Sequence, residues 1–458
     1  MQQRVSPGAA LFSVSLTSFL LPFMLSGVAV ALPTMGKEFG ATAVQLGLVE
    51  TAYVLSTSIF LLAMGRLGDI HGRRRVFQAG IAVFTVVGAL LSRAWSMETV
   101  IAFRFLQGIG GAMVGATGFA IVVATYPPQE RGKALGFSVA AVYAGLSCGP
   151  FLGGALVSAF GWRSLFYVSV PAGIVTFLLV SWRLRGEWAE AKGEPFDWQG
   201  SLVYGLSIVL LVTGAANLDK AAWSWAVIAV GSASLAAFLV LEARTEYPVL
   251  DVDLLRRNRV FTLSNVAALL NYAATFGVTF FLSFYLQRIK GMSPHHAGLV
   301  LMIQPVAQTV FSPLFGRLSD RVPAERVATA GMAVCALGLG VAATLSASTP
   351  LWVLFLVLVC LGMGFALFTS PNTSVIMGSV PPKYLGVASG LASSMRTLGM
   401  LVSMLVINVI LSVLMGGRPV SPETQDAFLL SMTTGLVSFC LLCGLGIVCS
   451  LARLRAGS

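Results

Sequence analysis

Two ionisable residues stand inside otherwise apolar stretches of this chain. Glu50 is the one carboxylate that falls within a membrane-length apolar segment, about 7 Å past Gln45 by helix rise. Arg104 lies about 9 Å beyond Glu98 on a separate segment, at similar depth. A carboxylate at that depth could take and release a coupling proton, with the arginine tuning its proton affinity by attraction and exposure. The plainer alternatives are a carboxylate at the wet rim and an arginine snorkelling to the interface.

A further set of residues occurs twice. Gly65-Arg66-Leu67-Gly68-Asp69 leads into Arg73-Arg74-Arg75, and Gly316-Arg317-Leu318-Ser319-Asp320 leads into Arg321 and Arg326. A second pair has nearly the same separation: Pro127-Pro128 with Gly132, Ala134 and Gly136 recurs as Pro381-Pro382 with Gly386, Ala388 and Gly390. The glycines permit close approach of helix ends. The aspartates can meet cations and helix dipoles, and the arginines hold the loop at an anionic inner leaflet. Gly65, Asp69, Arg73, Gly316 and Asp320 are therefore expected to form a conformational latch.

The elements that position these groups follow from composition. Of 458 residues, 10% are charged and 57% apolar, whereas a soluble domain carries roughly 25% charged residues. The chain is a polytopic membrane protein, with fourteen apolar stretches long enough to cross ~30 Å, from 11–33 to 427–451. With Arg4 inside and Lys220 and Arg418 outside, most of the 29 basic residues fall in inner segments, so both termini are expected in the cytoplasm. The net charge of +11 then reflects topology and contact with anionic inner-leaflet lipids, and its scatter over several loops argues against nucleic acid.

All six cysteines lie in spans, and His71, His295 and His296 lack a third ligand, so neither a disulfide framework nor a metal site is expected. There is no phosphate-binding loop and no serine, histidine and acid set. ATP-driven pumping and hydrolysis are thereby disfavoured, no cofactor is called for, and energy must come from an ion gradient.

The repeat divides the chain into two six-span halves, 1–185 and 259–458, with spans 7 and 8 inserted at 186–258. The inserted hairpin carries few polar groups apart from Asn217 and reads as peripheral packing. Duplicated halves meeting at the mid-membrane are a common way to build a site with alternating access. Span 5 holds Gly145, Gly149, Pro150 and Gly154, which suit close helix packing and a bend. Met24, Gln107, Asn271, Asn372 and Arg396 are candidates to line a central cavity, with interhelical hydrogen bonds the alternative for the polar ones. Phe23, Met24, Tyr143, Tyr272, Phe276, Phe280 and Phe368 could make an adaptable apolar pocket, with lipid-facing or core packing the alternative for each.

At these residues the chain resembles the major facilitator superfamily, and with fourteen spans its drug:proton antiporter branch. Gly65–Arg75 is similar to the superfamily's loop between spans 2 and 3. Arg104-x-x-Gln107-Gly108-x-Gly110-x-Ala112 is similar to its span-4 signature, and Gly145–Gly154 to the span-5 signature of antiporters. The resemblance implies an all-α integral membrane fold of two six-helix bundles plus a two-helix central insertion. It also implies proton-coupled export of drugs or other amphipathic or cationic small molecules, by a protein able to work as a monomer in the cell membrane. Spans 1, 4, 9 and 12 would line the cavity. Many members carry an acid in span 1 where this chain has Met24, so that proton carrier does not transfer and Glu50 gains interest. Two alternatives remain: a same-fold transporter of one metabolite, such as an organic acid or sugar, and an integral-membrane enzyme acting on lipid. Against the enzyme stands the lack of paired carboxylates, histidines or a nucleophile in the spans.

Overall fold

The computed structural model describes residues 6–184, 186–216, 223–415 and 424–456, the side chains at 43, 44, 216, 294, 295, 455 and 456 excepted. Arg4, Asn217, Lys220 and Arg418 lie outside the described residues, as does the ring of His295. Helices α1 (Pro7–Phe39), α2 (Ala43–His71), α3 (Arg73–Leu91), α4 (Met97–Thr125), α5 (Arg131–Phe160) and α6 (Arg163–Arg183) pack as one bundle. The hairpin of α7 (Trp198–Ala216) and α8 (Trp223–Glu242) follows, then a short α9 (Val252–Arg257). The second bundle has two broken spans, α10 (Arg259–Thr275) with α11 (Val278–Phe284) and α12 (Pro294–Leu301) with α13 (Ile303–Leu318). It is completed by α14 (Ala324–Ala342), α15 (Leu351–Gly378), α16 (Leu385–Met415) and α17 (Gln425–Ala456). Among the described residues, 14 helical segments are long and apolar enough to cross a membrane.

Several helices run past their apolar stretches because their ends are capped. Ser6 Oγ accepts from the Ala9 N–H at the start of α1, and Thr42 with Gln45 forms a reciprocal box at the start of α2. Ser96 Oγ accepts from Thr99 N–H before α4. Each cap satisfies donors that a helix end leaves without a partner. Glu38, Asp69 and Glu98 thereby sit in the end turns of long helices, and Glu50 alone among the described carboxylates lies deeper than one turn inside one.

Within the first bundle, α1 lies directly on α5. A Cβ on Gly145 would strike the Phe19 carbonyl oxygen, one on Gly149 would meet Ser26 and Gly27, and one on Gly153 would meet the Gly27 Cα at 3.0 Å. Gly154 has only an ordinary contact with Val30 at 3.7 Å, so the third interface glycine is Gly153, one place from the expected position. Helical geometry explains the shift, since 145, 149 and 153 share one face at a spacing of four.

The hairpin rests on the seam between the bundles, with α7 against both α2 and α16. The Tyr204 hydroxyl donates to Ser394 at 3.0 Å, and Ser207 donates to Ser234 at 2.8 Å. The hairpin is peripheral, but the Tyr204 hydroxyl ties it to α16, while Ser207–Ser234 joins its own two helices. Its base holds buried Glu242, which accepts from Leu250 N–H at 2.7 Å, and Asp197, which accepts from Gly200 N–H at 2.9 Å.

Candidate functional site: a crosswise gate and a central cavity

At the end of the molecule that carries the cassettes, Asp69 in the last turn of α2 accepts hydrogen bonds from the Gly386 and Val387 N–H groups, both at 2.9 Å. These are among the first donors of α16. Asp320, just beyond α13, accepts from Gly132 at 2.7 Å and Lys133 at 2.9 Å in the first turn of α5. Each aspartate belongs to one bundle and the helix it caps to the other. A carboxylate there satisfies orphan donors and faces the positive end of the helix dipole. The two sequence repeats are thus the two faces of one symmetric contact. Its glycines are needed for the approach: a Cβ on Gly65 would strike the Gly386 carbonyl oxygen and the reverse also holds, and Gly316 and Gly132 face each other likewise.

The two grips differ in strength. Asp69 has no exposure, and Arg73 holds it through Nε at 2.8 Å and Nη2 at 2.6 Å while reaching the Pro382 carbonyl of the other bundle. Asp320 is half-buried, and the position equivalent to Arg73 is Ala324. Burial pushes the Asp320 carboxyl up, against the pull of the Lys133 and Gly132 N–H groups.

The connection between α6 and α7 lies across the first cassette through residues 187–194. Arg73 N–H donates to Trp188 O and Ala191 N–H donates to Asp69 O, both at 3.0 Å. Glu187 accepts from the Arg74 N–H at 3.0 Å, in space kept open by Gly72, whose φ of 110° and missing Cβ suit the sharp turn between α2 and α3. Glu194 pairs with Arg66 of the first bundle at 2.5 Å and Lys383 of the second at 2.6 Å. Burial raises the Glu194 carboxyl, but hydrogen bonds from Lys383 and Arg66 and their charges outweigh it and hold the group below the usual range.

Further ties between bundles lie deeper in the same half of the molecule, from Ser370 to Gly132 O and from Ser389 to Gly115 O, both at 3.3 Å. At the opposite end, loops bond within their own bundle. Glu38 accepts from Trp162 Nε1 at 2.7 Å and from Arg163 at 2.6 Å, and Lys290 donates to Ala347 and Thr349 carbonyls at 2.6 Å.

Arg104 is fully buried but makes no ion pair with Glu50. Its Nη1 donates to Gln107 at 2.8 Å, its Nε reaches the Val49 carbonyl at 3.4 Å, and its guanidinium lies 4.4 Å from the Tyr53 ring centroid. Glu50, the next residue after Val49, is half-buried and its Oε1 has no hydrogen bond.

Between the bundles lies a cavity of about 30 Å³ lined by Phe119, Tyr143, Tyr272, Phe368, Asn372 and Arg396, among others. Its walls come from spans 4, 5, 9, 12 and 13. Span 1 takes no part, because its glycine contacts turn it onto α5. Met24 is consequently buried in the first bundle's core, and Gln107 is held by Arg104. Asn271 is buried within the second bundle beside Ala267, Ala268 and Cys335. Asn372 and Arg396 do reach the cavity. The Asn372 amide is already engaged, donating to Ser264 O at 3.0 Å and accepting from Arg453 Nη1 at 2.5 Å. Arg453, just past the apolar stretch at 427–451, is carried by α17 fully inside, where it also bonds Ser264, Ser450 and the Glu325 carbonyl. The polar partners on three other helices were the available signal, but they are far apart in sequence.

The whole fold resembles the human organic anion transporter MFSD10, with a TM-score of 0.69 at 15% identity, over 98% of this chain and 99% of that one. Similar sequences include the riboflavin transporter RibZ of Clostridioides difficile (strain 630), 32% identical over 81% of this chain and 80% of the relative. The tetracenomycin C resistance and export protein of Streptomyces glaucescens is 28% identical over 89% of this chain and 77% of its own. The multidrug resistance protein Stp of Mycobacterium tuberculosis (strain CDC 1551 / Oshkosh) is 29% identical over 89% and 75%. The family model of the Major Facilitator Superfamily matches residues 14–404 and 264–451. The chain belongs to the Major Facilitator Superfamily and is a multi-pass membrane transporter, not an enzyme.

Proposed function

We propose that the protein exports amphipathic small molecules in exchange for protons, by alternating access, and that the arrangement described is the one closed towards the cytoplasm. The crosswise grip of Asp69 and Asp320 carries this reading. Its bonds join backbone donors of one bundle to a carboxylate of the other, so they can break and reform without disturbing either bundle. A hydrogen bond to a charged group contributes about 1.5–3 kcal/mol, which is the scale that substrate and proton binding can offset. The excess of basic residues at the cassette end supports an orientation with that end inside the cell. Glu50 is the proton carrier in this scheme, since no other described carboxylate lies so far inside a long helix. The similarity to tetracenomycin C and multidrug resistance proteins supports export.

The test is flux of a fluorescent dye in vesicles of purified protein under an imposed pH gradient. Wild type should move dye only with the gradient, and Glu50→Gln should fold normally and stop the coupled movement. Flux indifferent to the gradient would remove proton coupling. A second reading, transport of one specific metabolite, is favoured by Arg396 facing the cavity and by the similarity to a riboflavin transporter. Competition by riboflavin against the dye separates the two.

A further inference from the structure

The charges around the cavity are one-sided. Among the residues lining it there is no aspartate or glutamate, and Arg396 is the only cation. The other buried arginines are engaged: Arg104 by Gln107 and Tyr53, Arg453 by Asn372, Ser264 and Ser450, Arg73 by Asp69 and Arg66 by Glu194. The guanidinium of Arg396 makes no hydrogen bond or ion pair with any described residue. An arginine in a membrane-embedded cavity keeps five donors in a planar fork that fits a carboxylate or a pair of carbonyl-type oxygens. A cationic cargo would meet repulsion from that charge with no lining carboxylate to offset it.

Aromatic rings flank this charge. Tyr143 of the first bundle and Tyr272 of the second both stand edge-on to Phe365, at 5.7 and 5.2 Å between centroids, and Phe368 joins the wall. Rings contributed by both bundles can clamp a flat apolar body while the fork holds its oxygens.

We infer that the cavity selects flat aromatic compounds bearing an anionic oxygen or paired oxygen acceptors, with Arg396 as the recognition residue, and that cationic aromatics are disfavoured. This rests on the transport reading but narrows its cargo. The closed volume of about 30 Å³ is far below that of such a compound, so binding must coincide with parting of the bundles at the end opposite the cassettes.

Two xanthene dyes of similar shape and opposite charge, fluorescein and rhodamine 123, test this by fluorescence anisotropy with purified protein in detergent at pH 7.5. Fluorescein should bind more tightly to wild type. Arg396→Ala should weaken fluorescein about 10- to 100-fold, the loss expected for a charge-assisted contact, and leave rhodamine 123 unchanged or tighter. Arg396→Lys, which keeps the charge and loses the fork, should fall between them and guards against misfolding. Tighter rhodamine 123 binding, unchanged fluorescein affinity in a folded Arg396→Ala protein, or binding of neither dye overturns the inference. Fluorescein binding with no gradient-driven flux in vesicles counts instead against the transport scheme and leaves the recognition residue standing.

Discussion

Asp69 and Asp320 cap helices of each other's bundle, Asp69 through Gly386 and Val387 and Asp320 through Gly132 and Lys133. The pseudo-symmetry is imperfect, and its imperfection has a consequence. Asp69 is fully buried with Arg73 on it, whereas Asp320 has Ala324 where an arginine would stand. Asp69→Asn removes the charge from two backbone contacts and leaves Arg73 without its partner. It is expected to shift the equilibrium towards opening at the cassette end by about 10- to 100-fold, and Asp320→Asn by less. Alkylation of a single cysteine placed at Thr373, on the cavity wall, reports this when the reagent is added from the cytoplasmic side. Equal rates in wild type and both variants would show that the carboxylates do not hold the gate.

Gly65 and Gly386 make a separate case, because backbone meets backbone. No rotamer change can relieve a Cβ driven into a carbonyl oxygen, so the bundles must part. Gly65→Val should raise cytoplasmic access to Thr373→Cys as Asp69→Asn does, and should reduce transport more than tenfold (about 1.4 kcal/mol or more) without loss of expressed protein. Full transport in this variant would place the close approach outside the working cycle.

The repeated cassettes and the spans were legible because both are local: glycine and aspartate recur in register, and apolar length sets the crossings. That Asp69 would face the second repeat of the opposite half was not, since crosswise contact between bundles leaves no mark on periodicity. Met24 was read as a candidate cavity residue among the Met and aromatic side chains of the spans, but the glycines of α5 hold α1 away from the cavity. Arg104 was expected to tune Glu50 by charge; the structure puts its guanidinium on Gln107 and the Tyr53 ring, with Gln107, three residues along the same helix, the nearby clue. The segment between α6 and α7 looked like a linker because a strap held by backbone bonds and by Glu187 and Glu194 has no repeating pattern.

Glu194 gives a pH dependence of defined sign. Its carboxyl lies below its unfolded value when folded, so its contribution is fully present above the ordinary glutamate pKa of about 4.3 and fades as pH falls through the folded value. Glu194→Gln should lower thermal stability at pH 7 by about 0.5–1 kcal/mol, the scale of a partly exposed ion pair. The gap to wild type should close as the buffer is taken well below pH 4.3. A difference that persists unchanged in acid would mean the glutamate acts by packing rather than by charge.

Arg453 and Asn372 allow the sharpest test of what positions the cavity wall. The guanidinium is fully buried, and its Nη1 donates to Asn372 Oδ1 while the same amide donates to Ser264 O. Arg453→Met fills similar space but leaves the Asn372 oxygen and the Ser264 hydroxyl without that donor, a loss of about 1–3 kcal/mol. Asn372→Leu alone strands the buried guanidinium and should be at least as costly. The double variant removes both partners together, so its cost should fall below the sum of the single costs by about 0.5–3 kcal/mol. Denaturation midpoints of the four proteins in mixed detergent micelles measure this. Strict additivity would mean that the arginine does not hold the asparagine in place, and that the cavity wall at α15 is fixed by helix packing alone.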